Sequence, residues 1–322
     1  MSSPTDNPDQ YAAIELIVPV SCAGLRLDQA LARLLPQHSR SRLQSWIQEG
    51  RVILDGALAT VRQKIRGGET VLVHPAAGGA ELAYHPEDIA LDIAHEDEAL
   101  IIVNKPAGLV VHPGSGNWSG TLLNALLQHA PQLGRLPRAG IVHRLDKDTS
   151  GLLAIAKTEV AQTCLVRQLQ ARSVSRDYLA IVFGHPARSG KVEAPIGRHP
   201  LRRTTMAVVA SGKPAVTYYR TLEQFAECAL VDCKLETGRT HQIRVHLQSI
   251  GHPLVGDRLY LGKHPGKRSA SPAISEFPRQ ALHATALALD HPATGKRVGW
   301  QVGLPEDMSD LLAALRSRGS PS

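Results

Sequence analysis

Within Ile141-Val142-His143-Arg144-Leu145-Asp146-Lys147-Asp148-Thr149-Ser150-Gly151-Leu152-Leu153, an apolar run enters a tight polar turn and leaves into a second apolar run. Asp146 sits where the turn begins, flanked by Arg144 and Lys147. A carboxylate kept ionised by neighbouring cations can serve as a nucleophile or a base. Asp146 and Asp148 also suit a plainer role, because aspartates in turns commonly accept hydrogen bonds from backbone amides. Other chemistries fit the chain badly. Gly114-Ser115-Gly116 and Gly120 are glycine-rich, but no Gly-Lys-Ser/Thr follows. Thr294-Gly295-Lys296-Arg297 lacks a glycine-rich turn before it, and there is no Gly-x-Ser-x-Gly elbow. The 15 histidines form no His-Glu-x-x-His, and His241 and His246, five apart, point in different directions on a helix. Nucleotide hydrolysis and metal catalysis are therefore not expected, and no metal or cofactor is assigned.

The elements that would position Asp146 follow from the hydrophobic pattern. Strands are expected at Ile89–Ile93, Leu100–Val103, Leu109–His112, Ile141–Leu145, Leu152–Ala156, Val174–Phe183, Ala207–Ala210, Ala215–Leu222, Ala229–Leu235 and Leu282–Leu289. Helices are expected at Thr121–His129, Glu159–Arg172 and His241–Ile250. The helices are too irregularly placed for repeated βαβ units, which favours an α+β mixed sheet. Ahead of this region lies a smaller unit. Ile14–Val20 reads as a strand, Leu25–Leu35 as a helix, and Arg42–Glu49 as a second helix capped by Ser39 or Ser41. Val52–Leu54 and Leu58–Val61 flank Asp55-Gly56, a pair favoured in two-residue hairpins, and Val71–Val73 closes the unit. The expected organisation is a tail over 1–13, a small domain over 14–74, a linker over 75–84 and a large domain over 85–318.

At 322 residues with 43% apolar and 20% charged side chains, two folded domains are comfortable and wholesale disorder is excluded. No run approaches the eighteen or so apolar residues of a membrane span, and the polar start, Met1–Gln10, lacks a hydrophobic signal region. Four cysteines are too few for a disulfide scaffold, and Cys228 and Cys233 face opposite ways on one strand. A cytoplasmic, reduced protein that does not engage a membrane is expected. The net charge of +7 admits a polyanionic partner. Gly24–His74 carries eight Lys/Arg against four Asp/Glu, Pro75–Leu100 seven acids and no base, and Ile196–Lys213 four bases and no acid. Two basic regions separated by an acidic stretch suggest two nucleic-acid contact surfaces.

The run His143–Leu153 resembles the catalytic motif of RluA/RluD-type RNA pseudouridine synthases, in which the aspartate is essential. Asn104-Lys105-Pro106-Ala107-Gly108 resembles the family's upstream Lys-Pro-x-Gly loop, and Arg176-Asp177-Tyr178-Leu179-Ala180 the strand bearing its aromatic residue. Leu235–His246 resembles its third motif, and Gly251-His252-Pro253-Leu254 through Gly256-Asp257 follows in the expected order. The match spans most of Ile89–Val302. Gly24–Val73 separately resembles the alpha-L RNA-binding domain through Arg26-Leu27-Asp28, Ser39-Arg40-Ser41-Arg42, Gly50-Arg51-Val52 and the Asp55-Gly56 turn. Asp55-Gly56 stands where that domain often has Asn-Gly, and Gly68-Glu69 where it has Gly-Asp. The combination resembles the RluD-like branch, which acts on large-subunit ribosomal RNA.

The resemblance implies a pseudouridine synthase fold with a mixed, mainly antiparallel sheet and a small N-terminal α/β RNA-binding domain. It implies cofactor-free isomerisation of uridine, with the target base flipped out of its stack to reach Asp146. Asp146, Arg244 and Tyr178 are then the catalytic set: Arg244 pairs with the carboxylate and keeps its pKa low, while Tyr178 stacks on the base. Ile243, Leu247 and Ile250 are expected to bury the face of the helix carrying Arg244. Arg144 fills the gap left by the flipped base. Lys105 supports the turn or contacts RNA, and Arg239, Arg26, Arg40, Arg42 and Arg51 are further RNA contacts. The expected partner is large-subunit ribosomal RNA or its assembling particle, met by a monomer. A synthase directed at transfer RNA, or a non-catalytic RNA-binding assembly factor with this fold, stands as the alternative.

Overall fold

The computed structural model describes residues 12–75, 83–114, 117–202, 204–261 and 271–319. Most of the expected tail over 1–13 and linker over 75–84, with Ser115-Gly116, Arg203 and residues 262–270, lies outside the described residues. The chain divides into two compact units, Met1–Ala83 and Tyr84–Ser322. No helix among the described residues is long and apolar enough to cross a membrane.

In the first unit, strands β1 (Ile14–Ile17), β2 (Val52–Leu54), β3 (Ala57–Leu58) and β4 (Thr70–Val73) form an antiparallel sheet in the order β1-β4-β2-β3. Helices α1 (Leu27–Leu34) and α2 (Arg40–Gln48) share one core with it, built from Leu27, Leu31, Leu43, Trp46, Val52, Val71 and Val73. Ser39 caps α2, its hydroxyl accepting from the Arg42 amide at 3.3 Å. Asp55 and Gly56 have φ of 49° and 80°, the left-handed pair a tight two-residue hairpin requires. β3 stops at Leu58 instead of reaching Val61.

Asp28 is fully buried at the start of α1. Its carboxylate accepts from Arg26 Nε at 3.0 Å, from Arg40 Nε and Nη2 at 2.9 and 2.7 Å, and from Gln44 Nε2 at 2.6 Å. Burial alone would raise its pKa; the Gln44 and Arg40 hydrogen bonds and the charges of Arg26 and Arg40 hold it below the ordinary value. Arg26 and Arg40, expected as RNA contacts, therefore also neutralise a buried anion while staying partly exposed. Arg51 pairs with Glu49 at 3.1 Å on the surface, and the Arg42 guanidinium lies 5.3 Å from the Trp46 ring centre. Arg40→Leu is expected to destabilise this unit by about 2 kcal/mol by stranding part of the Asp28 charge. Arg51→Leu should cost under about 1 kcal/mol. Thermal unfolding followed at the buried Trp46 checks the difference, and equal effects would contradict it.

The second unit is built on a sheet containing β5 (Ile93–Glu96), β6 (Leu100–Lys105), β7 (Ser150–Ala156), β8 (Ser175–Phe183), β9 (Ser189–Glu193), β12 (Val216–Gln224), β13 (Cys228–Leu235), β14 (Leu282–Asp290) and β15 (Arg297–Gln301). Its order is β5-β6-β7-β14-β8-β13-β12-β9, with β15 beside β14. Only β14 against β7 is parallel; the other pairings are antiparallel. A separate hairpin joins β10 (Ile196–Arg198) and β11 (Met206–Val208). Alternation along β6 sends Ile101 and Val103 to one face and Leu100 and Ile102 to the other. The first face packs on α3 (Leu122–His129) and α5 (Gln242–Ser249), the second on α4 (Glu159–Gln170). All of β7 is buried, which holds the turn that precedes it against a fixed support.

Several expected boundaries move. The strand expected at Ile89–Ile93 begins at Ile93, and neither Leu109–His112 nor Ile141–Leu145 is a strand. Val110 and Ile141 each make one bridge, to Thr121 and Ile155. Short apolar runs do not separate a strand from a buried loop. Here Ile141 and Leu145 anchor a loop in the core. Helix α6 (Pro272–Ser275) is a single turn. Helix α7 (Glu306–Gly319) was not among the expected elements, although Met308, Leu311, Leu312 and Leu315 recur at helical spacing and pack on Ile181 and Phe183 of β8.

Candidate active site

The Asp146 turn is pinned from inside. Lys105, at the end of β6, is fully buried, and its ammonium donates to the carbonyls of Pro106 at 2.7 Å, Lys147 at 2.9 Å and Leu109 at 3.0 Å. With three acceptors and no exposure, it supports the turn and does not reach RNA, which corrects the expectation of an RNA contact. Burial pushes its pKa down to about 7, with Asp148 opposing. Arg279 enters from the other side, donating to the Asp148 carbonyl at 3.0 Å while Asp307 accepts from its Nε and Nη2 at 2.6 and 2.9 Å. Gln280 donates to Thr149 Oγ1 at 3.2 Å. At Gly151 a Cβ would lie 2.2 Å from the Ala284 carbonyl oxygen, so glycine alone permits the close parallel approach of β7 and β14 just beyond the turn.

Arg244 comes from α5 and is 6% exposed. Its Nη1 donates to Asp146 Oδ2 at 2.9 Å, while Nε and Nη2 donate to Asp257 at 2.7 and 2.9 Å. Asp257 is fully buried and also accepts from the Leu259 and Tyr260 amides at 3.1 and 3.2 Å. Burial would lower the arginine's pKa, but the Asp257 hydrogen bonds and charge, with Asp146 behind them, hold it above the ordinary value. Two of the three apolar residues expected to bury its helix do so, Ile243 and Leu247; Ile250 lies just past the helix and is exposed.

His241 precedes the helix in a left-handed conformation, φ 56°, with Nε2 3.8 Å from Asp146 Oδ1 and Nδ1 2.7 Å from the Tyr260 hydroxyl. Such backbone strain in a non-glycine residue persists only where surrounding contacts enforce it. The Tyr260 ring lies 5.0 Å from the Arg244 guanidinium. Burial lowers the His241 pKa, against an upward pull from Asp146. Tyr178 on β8 is 5% exposed, and burial pushes its hydroxyl up to about 12. Its ring is therefore a neutral apolar surface near Asp146. Arg144 is exposed beside the turn, and Arg239 is half-buried with Nε on the Pro214 carbonyl at 3.1 Å. The structure thus joins Asp146 with Arg244. Asp257, His241, Tyr260, Arg279 and Asp307 were not assigned from sequence. Of these, His241 and Asp257 lay within quoted motifs, Leu235–His246 and Gly251–Asp257, but neither was given a role there.

Three histidines border this region, His283 buried and His112 and His143 partly buried. Burial, then Arg176, pushes His143 down to about 3; burial, then nearby arginines, pushes His112 and His283 down to about 4. His143 Nε2 accepts from the Ala154 amide at 3.0 Å, which requires it unprotonated. Because the folded pKa values lie below the ordinary 6.5, the unfolded chain binds more protons between the two. Stability is complete above pH 6.5 and falls as pH drops toward 4, each histidine adding up to ~1.4 kcal/mol per pH unit. Urea unfolding midpoints at pH 7.5, 6.5, 5.5 and 4.5 check this; a flat profile would contradict it.

Residues 99–249 match the family described as RNA pseudouridylate synthase, and residues 25–71 match the S4 domain. The chain is 58% identical over 316 residues to a ribosomal large subunit pseudouridine synthase D of Nitrosomonas europaea, covering 98% of this chain and 92% of the relative. It is 54% identical to the protein of that name from Pseudomonas aeruginosa, covering 93% of this chain and 94% of the other. Among solved structures, human RNA pseudouridylate synthase domain containing 4 superposes with a TM-score of 0.57 at 28% identity, covering 70% of this chain and 92% of that one.

Proposed function

We infer that this chain, which belongs to the RNA pseudouridine synthase family and carries an S4 domain, isomerises specific uridines of large-subunit ribosomal RNA to pseudouridine. One observation carries the mechanism: Asp146 accepts from an arginine whose other nitrogens are fixed by a second, buried carboxylate. The Asp257 charge already offsets much of the Arg244 charge, so Asp146 is oriented and remains available to act on a substrate. In the reaction the bond from N1 to C1′ breaks, the uracil turns, and C5 bonds to C1′. The proton on C5 leaves to solvent and N1 takes one up, so atoms and electrons balance without an oxidant. Asp146 acts at the sugar or base during bond exchange, as nucleophile or base. The target nucleotide leaves its stack to reach the cleft. Arg144, exposed beside the turn, occupies the space that it vacates.

The relatives' shared name and the S4 domain support ribosomal RNA as the substrate. Because the Asp146 and Arg244 pair comes from one chain, a monomer is a sufficient working unit, acting in the cytoplasm where that RNA is made. RNA carrying tritium at uridine C5 tests the reading: wild-type protein should release tritium to water from large-subunit RNA. Release from transfer RNA alone would redirect the assignment, and no release would overturn it.

Tyr178 supplies a face against the flipped uracil, a stack worth about 1–3 kcal/mol. Tyr178→Phe should keep most of the turnover, while Tyr178→Ala should lose about ten- to a hundredfold. The same tritium assay distinguishes them. Equal losses would assign the role to the hydroxyl.

A further inference from the structure

Among the described residues, three arginines are buried to below a tenth of their surface: Arg176, Arg244 and Arg279, at 7%, 6% and 8%. Arg244 is neutralised by Asp257 and Asp146, and Arg279 by Asp307. Among the described residues Arg176 has no carboxylate partner, and its buried Nε has no hydrogen-bond acceptor. A cation removed from water without a counter-ion is costly, so such a group ordinarily has an anion to meet. Its position shows where that anion would come from. Arg176 and Tyr178 are two apart on β8, so their side chains share one face of the strand. The Arg176 charge is felt at Tyr178 and at His143 in the Asp146 segment. Gly238, in the turn leading to His241 and α5, leaves room for the guanidinium: a Cβ there would lie 2.6 Å from Arg176 Nη1.

We propose that Arg176 is an anion-binding residue of the uridine cleft, taking a phosphate group of the RNA strand beside the flipped nucleotide. The planar guanidinium offers paired donors that match phosphate oxygens, and an uncompensated charge favours an anion over a neutral uracil carbonyl. The proposal rests on the reading of this cleft as the uridine site. Wild-type tritium release on the same RNA reports on that reading, and the Arg176 variants report on the subsite.

The test uses the full-length chain and a large-subunit RNA fragment. Arg176→Met should raise KM about tenfold or more with a smaller change in kcat, and flatten the salt dependence of kcat/KM by roughly 0.7–0.9 of a log unit per log unit of salt. Its melting temperature should equal or exceed that of wild type, because a waiting cation has been replaced by an apolar side chain. Arg176→Lys should keep the salt slope and recover only part of the KM. Inorganic phosphate at millimolar concentration should compete with RNA for wild type and not for Arg176→Met. A neutral methylphosphonate scanned across the linkages flanking the target uridine should, at one position, reduce wild type to the Arg176→Met level and leave the variant unchanged. A lowered melting temperature with unchanged KM would make Arg176 a structural residue and overturn the proposal. So would phosphate competition that survives in Arg176→Met, or methylphosphonate effects that simply add to the mutation.

Discussion

Asp146→Asn should abolish turnover, by about 10⁴-fold or more, while RNA affinity and melting temperature stay near wild type. The substitution keeps an oxygen able to accept from Arg244 Nη1, and it removes only the charge and its nucleophilicity. Arg244 is not stranded, because Asp257 still accepts from two of its nitrogens. The turn also survives, since Lys105 and Arg279 hold it through the Lys147 and Asp148 carbonyls and not through the Asp146 side chain. Tritium release measures the loss, and filter binding of RNA measures what is retained. Near-normal turnover would refute Asp146 as the reacting group. A parallel loss of binding would make it an RNA contact.

Arg244→Met should lower kcat by about 10²–10³-fold and destabilise the catalytic unit by about 3–5 kcal/mol. Both effects have one origin. Asp146 loses the donor that orients it, and Asp257, fully buried, loses its only cationic hydrogen-bond partner among the described residues. Adding Asp257→Leu to Arg244→Met should recover much of the stability, because no buried charge then stands alone. It should recover none of the turnover. Denaturant midpoints and kcat measured on the two variants separate the effects. A double variant with restored activity would show that the pair serves folding alone.

Asp146 and Arg244 were legible in the sequence through the resemblance of His143–Leu153 and Leu235–His246 to the family's motifs; the turn alone left Asp146 equally suited to accepting backbone amides. An α+β mixed sheet was legible from strand and helix spacing, since β6, β7, β8, β12, β13 and β14 carry long apolar or alternating runs, and its mainly antiparallel character followed from the family resemblance. What stayed hidden depends on contacts between distant segments. Arg279 meets the Asp148 carbonyl across 131 residues, and Lys105 meets that of Lys147 across 42. No local pattern marks either bond, so the sequence left Lys105 open between supporting the turn and contacting RNA, and its burial decides for the turn. Arg26 and Arg40 carry a role that charge counts do not show for a related reason: both pair with the buried Asp28 while staying partly exposed. The runs at 109–112 and 141–145 had strand-like composition, but strand identity is conferred by a neighbour, and each found only one bridge.

The most direct test is a map of pseudouridines in large-subunit ribosomal RNA and transfer RNA from cells lacking this protein, complemented with wild type or with Asp146→Asn. The account predicts that specific large-subunit positions lose pseudouridine, that wild type restores them, and that Asp146→Asn does not, while transfer RNA is unchanged. Large-subunit RNA that keeps every pseudouridine without the protein, or is fully restored by Asp146→Asn, would contradict it.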